Sequence, residues 1–345
     1  MGHPYRIREI AVQAGLSEAT VDRVLNRRGG VRVSTVREVH RAIADLDRQQ
    51  SQLRLGGRTF MIDVVMQAPE RFSSAVRGAL EAELPLLRPA AIRARFHFRE
   101  TGPVADLVAT LDRIAQRGSH GVILKTPDLP RITAAAERLV RAGIPVVTLV
   151  TDVPSSPRLA YVGIDNRAAG ATAAYLVAKW LRDEPGNILI TLSSGSFRGE
   201  EEREMGFRSA LRGMQPDRTL IDITEGEGLD DTMRDLVTAA LERDPDITAV
   251  YSIGGGNRAT LEAFDKLQRT CSVFIAHDLD RDNTRLLALG RLSAVLHHDL
   301  HQDMRRACQL IMQASGALPG AMRSVPSNIQ VITPHNLPAM VADER

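Results

Sequence analysis

Cysteine is almost absent from this 345-residue sequence: Cys271 and Cys308 are the only two, and they share no motif spacing. That excludes a disulfide-stapled fold and a cysteine-ligated zinc site, and it reads as two free thiols in a reducing cytoplasm. Long apolar runs are missing too. Nothing approaches the roughly 18 consecutive apolar residues of a membrane span. The start, Met1-Gly2-His3-Pro4-Tyr5-Arg6, leads into a polar helical pattern and not into the apolar core of a secretion signal. Lysine occurs only at 125, 179 and 266, so arginine carries nearly all the positive charge and only its clustering is informative.

What remains is ordinary globular material, 43% hydrophobic and 25% charged, in a chain long enough for two or three domains. The charge is unevenly spread. Residues 1–59 hold eleven arginines, no lysine and six acids, a net +5, whereas the rest of the chain nets −3. A basic head on a mildly acidic body points to a polyanion met by the head alone.

Three short helical patterns fill that head. Ile7, Ile10 and Ala11 repeat at helix spacing until Gly15-Leu16 break the run. Ser17 is an N-cap for a second helix with Val21, Val24 and Leu25 on one face. Ser34 is read as the cap of a third, with Val36, Val39, Ile43 and Leu46 turned inward. Helix, Gly-containing turn and helix are the parts of a helix-turn-helix, whose second helix enters the major groove of duplex DNA. On that geometry Glu18, Ala19 and Arg23 face base edges: arginine can fork onto guanine, glutamate accept from cytosine, and alanine touch a thymine methyl. Ser17, Thr20, Asn26, Arg27, Arg28 and Arg32 fall nearer the phosphates and position the head. A small helical bundle with a solvated polar face is the blander reading of the same pattern.

From Phe60 the chain alternates short apolar strands with amphipathic helices. Nine strands are expected, at 60–66, 92–98, 121–124, 145–149, 187–192, 219–223, 249–253, 273–276 and 293–296. Such alternation means parallel sheets covered by helices, and so many strands favour two sheets. Ligands of open parallel sheets lie beyond the carboxyl ends of the strands. The expected contacts are therefore Gln67, Phe72, Thr126, Asp128, Thr151, Arg203, Gly255, Asp278 and His297, with Lys125 and Asp152 beside them.

Several motifs compete. Gly254-Gly255-Gly256-Asn257-Arg258-Ala259 fits a dinucleotide-binding turn, and Asp278 follows at a suitable distance, which would suit a nicotinamide-dependent enzyme. The turn comes late in the chain and no acid–base set accompanies it. His297, His298, Asp299, His301 and Asp303 resemble a metal cluster, but a strand passing into a helix splays such side chains apart, and no metal or other cofactor is expected. Ser193-Ser194-Gly195-Ser196 lacks the spacing of a nucleophile elbow.

The head resembles the lactose-repressor (LacI/GalR) family. Ile7-Arg8-Glu9-Ile10-Ala11, Ala14 through Val21 and Arg23-Val24-Leu25-Asn26 carry the likeness over about forty residues. The body resembles the periplasmic-sugar-binding-protein type of sensor of the same family through Ala160-Tyr161-Val162-Gly163-Ile164-Asp165-Asn166, Ala169-Gly170, Arg203, Gly206-Phe207 and Asp278. The resemblance implies an all-α headpiece over residues 1–47 and a hinge over 48–59. Behind them it implies a two-lobed α/β sensor over 60–345, with one lobe at 60–164 plus 293–320 and the other at 165–292 plus 321–345. It further implies a homodimer on a near-palindromic operator, a sugar-like, polyol or sugar-acid effector in the cleft, and repression of uptake or catabolism genes as the default. Arg203 and Asp278 become the strongest effector contacts, Phe72 a stacking ring, and His297 the reader of a hydroxyl.

There are departures from the family pattern. Asp22 stands where the family has serine. The segment 47–59 is about three residues short, leaving Leu53 and Leu55 as candidate minor-groove wedges or Gly56-Gly57 as a plain flexible linker. Val150-Thr151 replace an aspartate after the fourth strand, and Gly254-Gly255-Gly256 replace an Asn-Asp pair. A secreted solute receptor would share the body but not the head.

Overall fold

The computed structural model describes residues 4–338 apart from 89, 183 and 225; the side chains of 48 and 50–55 are outside the description. Three helices open the chain: α1 (Ile7–Ala14), α2 (Glu18–Leu25) and α3 (Val33–Leu55). Gly15 ends α1 in the left-handed conformation, at φ 65°, which a side chain would resist. Ser17 Oγ then accepts the Thr20 amide at 3.2 Å and starts α2. Ile10, Ala11, Val21, Val24, Val39 and Ala42 close a small core between the three. Ser34 is not a cap, since α3 already starts at Val33 and the Val36 amide bonds to the Arg32 carbonyl. Nor does α3 stop near Asp47. It continues through the expected hinge to Leu55, so Leu53 and Leu55 lie on helical backbone and their side chains fall outside the described set.

Two sheets follow. The first has strand order β2-β1-β3-β4-β5, all parallel, from β1 (Thr59–Gln67), β2 (Ala91–Arg99), β3 (Gly121–Lys125), β4 (Val146–Leu149) and β5 (Ala160–Val162). The second has order β11-β10-β9-β8-β6-β7. Its strands are β6 (Asn187–Thr191), β7 (Leu220–Ile223), β8 (Ile247–Ser252), β9 (Val273–His277), β10 (Ala294–His297) and β11 (Gln330–Ile332), with only β11 antiparallel. All nine expected strands form; β5 and β11, three residues each and both at sheet edges, are additional.

Helices cover both faces of each sheet, which is why the central strands are apolar on both sides. In the first lobe, α4 (Glu70–Glu83) and α12 (Leu300–Ala314) seal one face, and α5 (Val104–Arg117) with α6 (Pro130–Arg141) the other. In the second, α7 (Asn166–Leu181) and α8 (Arg198–Met214) lie opposite α9 (Asp230–Arg243), α10 (Asn257–Lys266) and α11 (Arg281–Ala288). One buried charge interrupts β1. Asp63 is fully buried and receives Arg95, His97 and Arg117, and its hydrogen bonds to Arg95, His97 and Ser119 outweigh the upward push of burial to hold the carboxyl below its ordinary range.

The chain crosses between lobes three times: after β5, after β10, and between α12 and β11. The expected return to the first lobe at 293 is corrected, because β10 pairs with β9 and β11 inside the second sheet. Two of the crossings are tied together where the Ser327 amide donates to the Gly163 carbonyl at 2.8 Å, beside an Ile164–Ser327 bridge. Among the described residues no helix is long and apolar enough to cross a membrane.

Candidate functional site

The facing strand ends of the two sheets enclose a cleft of about 770 Å³. Six of the nine expected contacts line it: Gln67, Phe72, Thr151, Arg203, Gly255 and Asp278. Three do not. Strand alternation gives the cleft face to Lys125 and turns Thr126 into the core, where its hydroxyl is buried without a partner. Asp128 engages the other lobe through its backbone, donating to the Ser196 carbonyl at 2.8 Å. The His297 ring lies to one side and accepts the Leu279 amide at 3.2 Å; burial lowers its imidazolium to about 4.

Arg203 is set in place by close helix packing. A Cβ on Gly170 would lie 1.9 Å from the Arg203 carbonyl oxygen, and one on Gly206 2.1 Å from that of Arg167, so α7 and α8 meet as only glycines allow. The guanidinium Nε then donates to Asn166 Oδ1 at 2.8 Å, and Asn166 in turn donates to the Tyr161 hydroxyl at 3.1 Å. Arg203 is 3% exposed, and its Nη2 has no hydrogen-bond partner. Asp278 faces it with Oδ2 3.8 Å from Nη1, while its Oδ1 makes no hydrogen bond among the described residues. A buried donor without a hydrogen bond and a carboxylate thus line one cleft, groups of the kind a vicinal diol would satisfy.

Behind Asp278 lies a chain of charges. Fully buried His298 has Nε2 3.4 Å from Asp278 Oδ1, an ion-pair distance without hydrogen-bond alignment, and bonds through Nδ1 to Asp303. Asp303 accepts the hydroxyl of Ser327, at the crossing. Burial pushes the Asp278 carboxyl up, but His298 and then Arg203 bring it well below the usual carboxylate range. For His298, burial pushes down and the two aspartates win, raising it to about 9.

Residues outside the sequence expectation complete the walls. Arg71, in the first turn of α4, reaches across to the other lobe: Nη2 donates to the Gly228 carbonyl at 2.7 Å and Nε lies 3.1 Å from Asp280. Gly255 makes room for it, since a Cβ there would sit 2.3 Å from that Nη2. The glycine turn therefore holds an arginine where a dinucleotide reading needs an open phosphate cradle. Asp280 caps α11 through the Asn283 amide at 2.8 Å, and burial raises its carboxyl to about 6. Phe197, from the loop after β6, lines the cleft with its ring 4.6 Å from Lys125 Nζ. The remaining members of the histidine–aspartate run diverge, with His301 directed at Glu83, 3.6 Å away.

On the head, Ser17, Glu18, Ala19, Arg23, Asn26, Arg27, Arg28 and Arg32 are exposed and Thr20 half-buried. Glu18, Ala19 and Arg23 are clear of the three-helix core. Asn26 and Arg28 are held by Asp22, at 2.7 and 2.8 Å to its two carboxylate oxygens, so the departure at Asp22 serves to fix the turn after α2.

The profile "Bacterial regulatory proteins, lacI family" matches residues 6–48, and "Periplasmic binding protein domain" matches 67–317. No protein of curated function matches the chain in sequence. Among solved structures, the glucose-galactose binding protein GanP from Geobacillus stearothermophilus is 20% identical, covering 82% of this chain and 99% of its own, with TM-score 0.71. A solute binding protein from Burkholderia graminis C4D1M, in complex with D-arabinose, is 17% identical over 84% and 99%, with TM-score 0.72. A candidate LacI transcriptional regulator from Bacteroides fragilis is 17% identical over 81% and 98%, with TM-score 0.70. At such identities the likeness is one of fold.

Proposed function

Because the chain belongs to the bacterial regulatory proteins of the lacI family, with a periplasmic binding protein domain behind its helix-turn-helix, we propose that it is a cytoplasmic repressor released or recruited by a small polyhydroxylated effector. Two heads of a homodimer read the halves of a near-palindromic operator, since twofold protein symmetry calls for twofold DNA symmetry. Glu18, Ala19 and Arg23 read bases; the other exposed polar residues of the head bind backbone.

One observation carries the sensing half: an Arg203 Nη2 that makes no hydrogen bond among the described residues and the Asp278 carboxylate, whose Oδ1 meets only the His298 imidazole at 3.4 Å, line one cleft between two lobes. Sugars, polyols and sugar acids supply alternating donors and acceptors of the kind these two groups lack. Structural relatives that bind glucose and galactose or arabinose support that class. Control then follows from differential binding: an effector that prefers one lobe arrangement shifts the spacing of the heads by a coupling of roughly 1–3 kcal/mol.

Enrichment of duplexes from a random pool by the purified chain tests the first half. A twofold-symmetric consensus, bound with steep salt dependence, is expected. Retention of random duplex and consensus alike at moderate salt contradicts it.

A further inference from the structure

Lys125 stands at the end of β3 with its ammonium inside the cleft, and its surroundings do not balance its charge. Among the described residues its one hydrogen bond runs to the Gln67 carbonyl, at 3.2 Å. Its Nζ lies 4.6 Å from the Phe197 ring centroid and 5.6 Å from that of Phe72, one ring from each lobe. Among the described residues no carboxylate comes within 4.0 Å of it. The two acids whose fields reach it, Glu200 and Asp278, are directed elsewhere. Glu200 accepts the amide and hydroxyl of Ser193, and Asp278 faces Arg203 and His298. Burial, the largest influence, lowers the ammonium to about 8.

Arg203, 3% exposed, lines the same cleft, and its buried Nη2 makes no hydrogen bond among the described residues. Arg203 has Asp278 as its counter-charge at 3.8 Å, whereas the Lys125 ammonium has no carboxylate of its own, and an ammonium is costly to leave unpaired away from water. A neutral hydroxyl can accept from the ammonium but brings Lys125 no counter-charge of its own. A carboxylate or phosphate supplies that charge, with the short charge-assisted geometry such groups favour.

Resting on the effector-sensing reading above, we propose that the effector carries an anionic oxyacid group set against Lys125 and the Nη2 of Arg203. The rest of the molecule lies against the cleft-lining rings of Phe72 and Phe197, which suit the apolar side of a sugar ring or carbon chain. Lys125 is thus a specificity-determining residue, choosing acids over the corresponding neutral sugars.

The test is calorimetric titration of the full chain with D-glucuronate, D-galacturonate, D-gluconate and D-glucose 6-phosphate, each beside D-glucose or D-galactose. At least one anion is expected to bind ten-fold or more tightly than its neutral parent; the carboxylate and phosphate arms show which acid fits. Lys125→Met should erase that preference and Lys125→Arg keep it, with Lys125→Gln replacing the Met variant if circular dichroism shows it unfolded. Neutral sugars binding as tightly as the anions overturn the proposal while leaving the sensing reading intact, as does a preference that survives in Lys125→Met. Binding of none of these compounds, acid or neutral, overturns both.

Discussion

His298 and Asp303 share a fully buried hydrogen bond through Nδ1, at the point where the chain passes from the second sheet to α12. With Asp278 on the imidazole's other side, the ring is held as an imidazolium, raised to about 9. A raised histidine stabilises fully below its unfolded value near 6.5 and loses that contribution as pH climbs through 9. Unfolding free energy, followed by urea at pH 6 and pH 9.5, should fall by on the order of 2 kcal/mol more in the wild type than in His298→Gln. The comparison isolates His298 from Lys125, whose depressed amine contributes in the opposite sense, its stabilisation lost as pH falls through about 8. Equal pH dependence in both proteins contradicts the imidazolium.

Gly170→Ala drives a methyl into the Arg203 carbonyl, where backbone and not a flexible side chain must yield. A loss of about 3 kcal/mol is expected by urea unfolding, with effector binding weakened as Arg203 shifts. Gly78→Ala is the contrast. It lies in α4 with nothing within 4 Å of the added carbon, so replacement should stabilise by about 0.5–1 kcal/mol. Similar outcomes at the two positions would remove close packing as the reason for Gly170.

Arg71 fastens the lobes across the cleft mouth. Arg71→Ala should lower effector affinity about ten-fold at pH 7.5 and enlarge the radius of gyration seen by small-angle scattering. The Asp280 carboxyl, raised to about 6, becomes neutral below that pH, so the affinity gap between wild type and variant should narrow at pH 5. A gap that stays constant with pH would mean that the Gly228 carbonyl alone holds Arg71.

In the head, Ser17→Ala removes the α2 cap and should cost about 1 kcal/mol of headpiece stability. Arg23→Ala should instead leave stability unchanged and relax base preference at one operator position, by about 1–3 kcal/mol of discrimination. Selection from a random pool distinguishes them: a full consensus retained by Arg23→Ala removes it from the reading set.

Much of this fold was legible in the sequence because central parallel strands are continuous apolar runs. The two strands that sequence reasoning missed, at Ala160–Val162 and Gln330–Ile332, are short edge strands whose pairing, and not their pattern, defines them. Strand ends led to six residues that line the cleft, but parity decided which neighbour entered it. Of the neighbours Lys125 and Thr126, both read as candidates, only Lys125 enters the cleft, and His298, not His297, stands behind Asp278, because adjacent strand residues face opposite ways. Phe197 was within reach of the same rule, as it follows β6. Arg71 was not: it meets Gly228 and Gly255, residues far along the chain, and only the approach of the lobes brings them together. Likewise the third helix looked finished near Asp47 because its apolar face ends there, yet its backbone runs on to Leu55.

The linkage of cleft to operator is the centre of this account, and fluorescence anisotropy of a labelled operator duplex measures it. Titrating effector into wild-type protein should change duplex affinity at least five-fold, while Asp278→Ala binds the duplex as tightly as the effector-free wild type and does not respond. A wild-type affinity indifferent to saturating effector, or an Asp278→Ala protein that responds at the same concentrations, would contradict it.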